Sequence, residues 1–179
     1  MKNQTISKIV KIAMFSSLSF LLFYLKFPIL PSFSFLEIQF SNLPAIIAGF
    51  ALGPVSGCIV VVIRTLLKFL FIGSSTGGVG ELADFLIGIF VVLTTSLIYL
   101  KHKTKKGGII SLIFGCVVWI VSALILNWLV LAPLYGLEKD IIPYYLFAGV
   151  LPFNAILSIL VSLISFIVYK SISNLINKF

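Results

Sequence analysis

The chain has 179 residues, of which 60% are hydrophobic and only 10% charged, and its mean hydropathy is +1.22. Soluble domains carry roughly a quarter of charged residues, so this composition excludes one and points to an integral membrane protein. The net charge of +8 would suggest nucleic acid in a soluble protein; here it reads as a set of topology signals, and no nucleic-acid partner is expected.

A basic start with Lys2, Lys8 and Lys11 leads into the first apolar run, about Ile6 to Phe27. It resembles a signal peptide in outline, but Pro28 and Pro31 follow with no small-residue cleavage site, so it is read as a retained first helix. The next segment, Pro28 to Ser41, is amphipathic: Phe33, Phe35, Leu36, Ile38 and Phe40 alternate with Ser34, Glu37, Gln39 and Ser41. Such a loop suits the mouth of a cavity, with apolar groups pressed inward and polar groups facing a ligand or water.

The run from Leu43 to Ile63 is long enough for a single span, since about 20 apolar residues cross the hydrocarbon core. Gly53-Pro54 with Gly57 interrupts it and marks a turn. Charge decides between the two readings. Glu37, Glu81, Asp84, Glu138 and Asp140 lie in alternate connections, and Lys101, Lys103, Lys105 and Lys106 lie in the connections between them. Cytoplasmic loops carry the excess of Lys and Arg, so the run must split into a short helix (about 42–52) and a longer one (about 55–72). The short helix spans only about 17 Å at 1.5 Å per residue, and so must be tilted or packed within protein.

Gly73 to Gly80 is glycine-rich, but no Lys-Ser/Thr pair follows as a phosphate-binding loop requires. It reads as a plain outer loop. Further helices are expected at about 81–100, 108–131 and 144–174. The whole is a single all-α integral membrane domain of six transmembrane helices with both termini cytoplasmic.

A polar group inside a bilayer is costly and becomes a candidate for function. Arg64 and Lys68 stand one turn apart on one helix face, as do Glu81 and Asp84 at the start of the fourth helix. Asn127 and Asn154 interrupt apolar runs in the fifth and sixth helices, each bringing two donors and an acceptor. Both lie level with the acidic loops and with Pro133 and Pro152. That shared depth predicts a pocket open to the outside, formed by the outer halves of the last three helices and capped by 28–41. It would suit a flat, uncharged heterocycle with hydrogen-bonding edges. The plainer roles are interhelical hydrogen bonds for the amides and placement at a helix N-terminus for the acids. No catalytic set, metal-ligand cluster or cofactor motif emerges. Cys58 and Cys116 are isolated in apolar runs, and His102 sits in a lysine-rich loop. Six helices with a pocket and no means of hydrolysing ATP describe a binding subunit that another protein drives.

Several segments resemble the substrate-binding (S) components of energy-coupling factor (ECF) transporters, and among them the riboflavin-specific branch. They are Lys26-Phe-Pro-Ile, Phe40-Ser-Asn-Leu-Pro44, Phe50-Ala-Leu-Gly-Pro-Val-Ser-Gly57 and Gly80-Glu-Leu-Ala-Asp-Phe-Leu-Ile-Gly88. Leu126-Asn-Trp-Leu-Val-Leu-Ala-Pro-Leu-Tyr-Gly136 and Leu151-Pro-Phe-Asn154 follow. The resemblance covers nearly the whole chain. It implies a multi-pass protein of a prokaryotic cell membrane that captures riboflavin outside. Delivery would then require a transmembrane coupling protein and two ATP-binding subunits. It places Asn127 and Asn154 at the isoalloxazine edge, and Phe35, Leu36, Glu37, Gln39 and Asn42 in the segment that closes over the ligand. Glu81, Asp84 and Tyr135 join the binding set, while Ala13 and Ser17 match the small-residue face that docks on the coupling protein. Small residues at that spacing also let helices approach closely.

The chain departs from that pattern in three respects. Gln39 and Asn42 stand where members often carry an acid, and Asp84 where they carry Asn. Leu157 stands where members can carry a lysine three residues after the Pro-Phe-Asn asparagine. Lys68 is instead the lysine available, and it either donates to a ligand, pairs with Glu81 or snorkels outward. The competing functional classes are an autonomous carrier, an S component for another flavin or small heterocyclic vitamin, and an intramembrane enzyme. The missing catalytic residues weigh against the last.

Overall fold

Apolar runs of this length can satisfy their backbone polar groups in lipid only by closing helical hydrogen bonds, and all the long elements of the computed structural model are helical. It describes residues 2–33, 36–74 and 77–176, excepting the side chains of residues 2, 3, 32 and 170–176. In chain order the helices are α1 (Lys2–Leu21), α2 (Asn42–Leu52), α3 (Pro54–Phe71), α4 (Val79–Lys101), α5 (Lys105–Leu134) and α6 (142–176). Among the described residues four are long and apolar enough to cross a membrane: α3, α4, α5, and α6 as far as Tyr169. Leu70, Phe71 and Phe147 are each at least 70% exposed on the outer surface, an arrangement that water penalises and lipid does not.

Gly53 breaks the run between α2 and α3. Its φ of +94° is open to glycine but strained for other residues, and Pro54 then starts α3 at a position where its missing N–H costs nothing. The short α2 is enclosed by protein, with Ala45, Ile46, Ala48 and Phe50 all buried. Gly57 makes that enclosure possible: a Cβ there would lie 2.9 Å from the Ala45 carbonyl oxygen and 2.6 Å from Val92. At the far end of the core, Phe50 stacks on Tyr99 with centroids 4.5 Å apart. The Tyr99 and Tyr169 hydroxyls meet at 2.9 Å.

Two local features differ from the sequence expectation. The first helix ends at Leu21 rather than near Phe27. Pro28 forces the residue before it into extended backbone, and Phe27 accordingly pairs with Ile38 in a two-residue antiparallel ladder, β1 (Phe27–Pro28) with β2 (Glu37–Ile38). A 3₁₀ turn at Pro31–Phe33 lies between them. The segment is therefore a folded strap and not an irregular loop.

The second difference lies in α5 and α6, which widen to π-helical geometry at Asn127–Leu131 and Tyr145–Val150. Pro133 and Pro152 each follow such a turn. A helical proline removes one N–H and crowds the carbonyl four residues back, and a wider turn relieves both effects. Short π segments recur at functional sites. The first begins at Asn127, and the second ends one helical turn before Asn154.

Candidate functional site

The strap, the end of α3, the start of α4, the C-terminal half of α5 and the N-terminal half of α6 enclose one cavity of about 280 Å³, near the lower end of the usual range for small-molecule sites. Leu36, Glu37, Gln39, Asn42, Lys68, Glu81, Asp84, Asn127, Tyr135 and Asn154 all line it. Phe35 lies outside the described residues. Helix α3 contributes through Lys68, with Ile72 just past its end, an addition to the three helices expected from the shared depth of the polar groups.

One wall is aromatic and amide. Trp119, Tyr145, Phe153 and Leu157 line it beside Asn127 and Asn154. Asn127 donates from Nδ2 to the Ala123 carbonyl at 2.8 Å, and its Oδ1 accepts from the Tyr145 hydroxyl at 2.6 Å. Asn154 repeats the pattern: Nδ2 donates to the Val150 carbonyl at 2.8 Å, and Oδ1 accepts from the Trp119 indole at 3.1 Å. A primary amide has two N–H groups and two lone pairs. These bonds fix each side chain and leave it one N–H and one lone pair with which to read a ligand edge. The four side chains thus form a rigid hydrogen-bonding platform between aromatic faces.

The lining from the strap, α3 and α4 is ionic. Lys68 Nζ lies 3.0 Å from Glu81 Oε1, so the lysine that was open to three readings pairs with Glu81 while still lining the cavity. Ser74 donates to the other Glu81 oxygen at 2.6 Å and accepts from the Gly78 N–H at 2.7 Å, which ties the glycine-rich connection to the start of α4. Asp84 is held from two sides. Gln39 donates to its Oδ1 at 3.0 Å, and Arg64 Nη2 stands 3.1 Å from its Oδ2.

Arg64 has no exposed side-chain surface at all, which only a matched carboxylate makes tolerable. Its Nη1 also donates to the Ser41 hydroxyl, and Ser19 of α1 donates to the Ser41 carbonyl. Arg64 therefore joins α1, the strap, α3 and α4. Gly88 leaves room for it, because a Cβ there would fall 2.8 Å from Nη2. Lys26 and Glu37, 2.7 Å apart, complete the strap side.

Sequence reasoning passed over Trp119, Tyr145 and Phe153, because an aromatic residue inside an apolar run gives no contrast. It allowed Arg64 to pair with a neighbouring helix but did not name the partner; the signal for it was the second acid, Asp84, one turn after Glu81. Ala13 and Ser17 lie away from the cavity, on the exposed face of α1 with Val10 and Met14. Among the described residues no group of His, Cys, Asp and Glu side chains is placed to hold a metal ion. The arrangement can hold a flat polar ring and the chain attached to it.

A fold of apolar helices around a polar-lined cavity defines a membrane protein that binds a small solute, and the comparisons identify its family. The family model for the substrate-specific component of ECF transporters matches residues 7–169. The chain belongs to that family.

It is 33% identical over 177 residues to the riboflavin transporter RibU of Staphylococcus aureus (strain TCH60), covering 96% of this chain and 93% of the relative. It is 32% identical over 172 residues to the riboflavin transporter FmnP of Bacillus subtilis (strain 168), covering 92% and 90%. Among solved structures it is similar to one described as the S component of a bacterial ECF transporter. That match has TM-score 0.81, 36% identity and 98% coverage of both chains.

Proposed function

We propose that this chain is the riboflavin-binding subunit of an ECF-type importer. The observation that carries the reading is the pair of braced amides, Asn127 and Asn154, each with a donor and an acceptor left over beside Trp119, Tyr145 and Phe153. An isoalloxazine ring is flat, aromatic and edged by alternating acceptors and a donor, so it suits that wall. Its ribityl hydroxyls suit the polar side formed by Gln39, Asn42, Lys68, Glu81 and Asp84, with Leu36, Glu37 and Tyr135 also in the lining. The names of the relatives, riboflavin transporters in both bacteria, favour the same ligand. Riboflavin is cargo here, with no cofactor and no catalysis.

All six helices cross the cell membrane of a prokaryote, and both termini are cytoplasmic. This places Lys101, Lys103, Lys105 and Lys106 inside and the acidic connections outside, as the positive-inside bias requires. The enclosure of α2 by protein supports a crossing shorter than the bilayer. Ala13 and Ser17 dock on a coupling protein, and two ATPases drive delivery.

Uptake of labelled riboflavin into proteoliposomes tests this directly. Uptake is expected only when the coupling protein, the ATPases and ATP are all present. Uptake by this chain alone would instead establish an autonomous carrier.

A further inference from the structure

The charges at the cavity come in pairs. Lys26 meets Glu37, Lys68 meets Glu81 and Arg64 meets Asp84, at 2.7, 3.0 and 3.1 Å. Five of these six residues line the cavity, and the sixth, Arg64, stands directly behind Asp84. The polar side of the site is thus strongly ionic in composition and close to neutral in sum. Of the two cations on α3, Lys68 is the one that can meet a ligand: its side chain keeps 18% of its surface, whereas Arg64 keeps none; Lys26, the more open cation at 40%, is matched by Glu37 at the strap. Lys68 is also positioned from behind, with Nζ 5.0 Å from the centre of the Phe23 ring, a favourable place for a cation.

We infer that the Lys68–Glu81 pair makes the site selective for the neutral flavin over its phosphate ester. A phosphate monoester brings a charge of about −1.5 to −2 at pH 7. With Lys68 already matched, the phosphate must either displace Glu81 or share the cavity with Glu37, Glu81 and Asp84. Like charges brought together in a partly desolvated site are costly, and an unmatched charge is an established way of rejecting a competing ligand. The polyol of riboflavin meets no such conflict, because hydroxyls both donate to carboxylates and accept from ammonium groups. Glu81 is therefore a specificity residue whose removal should admit the phosphorylated ligand.

This inference rests on the riboflavin reading above, and the test separates the two. Riboflavin and flavin mononucleotide (FMN) are titrated, by quenching of flavin fluorescence at pH 7.5, into the purified full chain and into Glu81→Gln, Lys68→Met and the double variant. The readout is the ratio of the two dissociation constants, which a merely structural disturbance leaves unmoved because it affects both flavins alike.

Glu81→Gln leaves Lys68 unmatched, and the ratio of FMN to riboflavin should fall about tenfold, the size of one partly buried charge pair. Lys68→Met removes the cation beside Glu81, and the ratio should rise. The double variant should return close to the starting ratio. A ratio unmoved by Glu81→Gln, or moved equally by the double variant, overturns the inference. If Glu81→Gln binds neither flavin, an unmoved ratio in Lys68→Met overturns it. Failure of the unsubstituted chain to bind any flavin overturns the riboflavin reading itself.

Discussion

Replacing Asn154 with Leu keeps the volume of the side chain and removes all of its polar atoms. Two separate losses follow. Trp119 loses the acceptor 3.1 Å from its indole nitrogen, and a buried donor left without a partner costs about 1–3 kcal/mol. That loss is common to the free and the loaded protein, so it lowers the melting temperature without weakening binding. The second loss concerns the ligand. One N–H and one lone pair of Asn154 remain after its bonds to Val150 and Trp119. Two hydrogen bonds to a flavin edge at about 0.5–1.5 kcal/mol each sum to about 1–3 kcal/mol. The dissociation constant for riboflavin should therefore rise about fivefold to 150-fold. Fluorescence quenching measures that change, and a thermal melt in detergent measures the stability loss on the same sample. A folded Asn154→Leu protein whose affinity stays within about twofold of the original would refute the placement of the ligand edge on this amide.

Docking should be lost separately from binding. Trp at Ala13 or Ser17, on the exposed face of α1, should abolish uptake in cells while riboflavin binding in detergent persists; normal uptake would assign docking to another face. Arg64→Met leaves Asp84 buried without its cation and should cost about 3–5 kcal/mol of stability, read as a large drop in the detergent melting temperature. A melt unchanged from that of the original protein would show that the strap is held by other means. Gly88→Ala should destabilise by about 1–3 kcal/mol, the usual cost of overpacking, because the new methyl would press on Arg64 Nη2 and on Asn42 Oδ1 at 3.0 Å. Measured alongside Arg64→Met, it should add little further loss, since both act on one clasp.

Much of this architecture could be read from charge and glycine. The alternation of acidic and basic connections forced a break in 43–63, and Gly53 supplies it with a backbone conformation that suits glycine alone. The polar site residues were equally visible, since Asn127, Asn154, Glu81, Asp84 and Lys68 each stand out against apolar neighbours. The strap was less so: its pairing of Phe27 with Ile38 is a long-range contact of two residues, too short to leave a periodic pattern. The π turns at 127–131 and 145–150 follow from Pro133 and Pro152, but a proline alone does not say whether a helix kinks, ends or widens. An aromatic lining was to be expected for such a pocket, but its members could not be picked out, because Trp119, Tyr145 and Phe153 look like any other lipid-facing or core residue. The partnership of Arg64 with Asp84 was hidden because two acids and two bases on facing helices allow more than one pairing.

The central claim is that the cavity binds riboflavin, and the most direct measurement is a titration of the purified full chain with riboflavin, followed by flavin absorption and fluorescence. One riboflavin should be held per chain, with fluorescence quenched as the ring stacks beside Trp119, Tyr145 and Phe153. Replacing Asn127 and Asn154 together with Leu should abolish that quenching. A folded chain that leaves riboflavin fluorescence and absorption untouched while binding a different heterocycle would contradict the account.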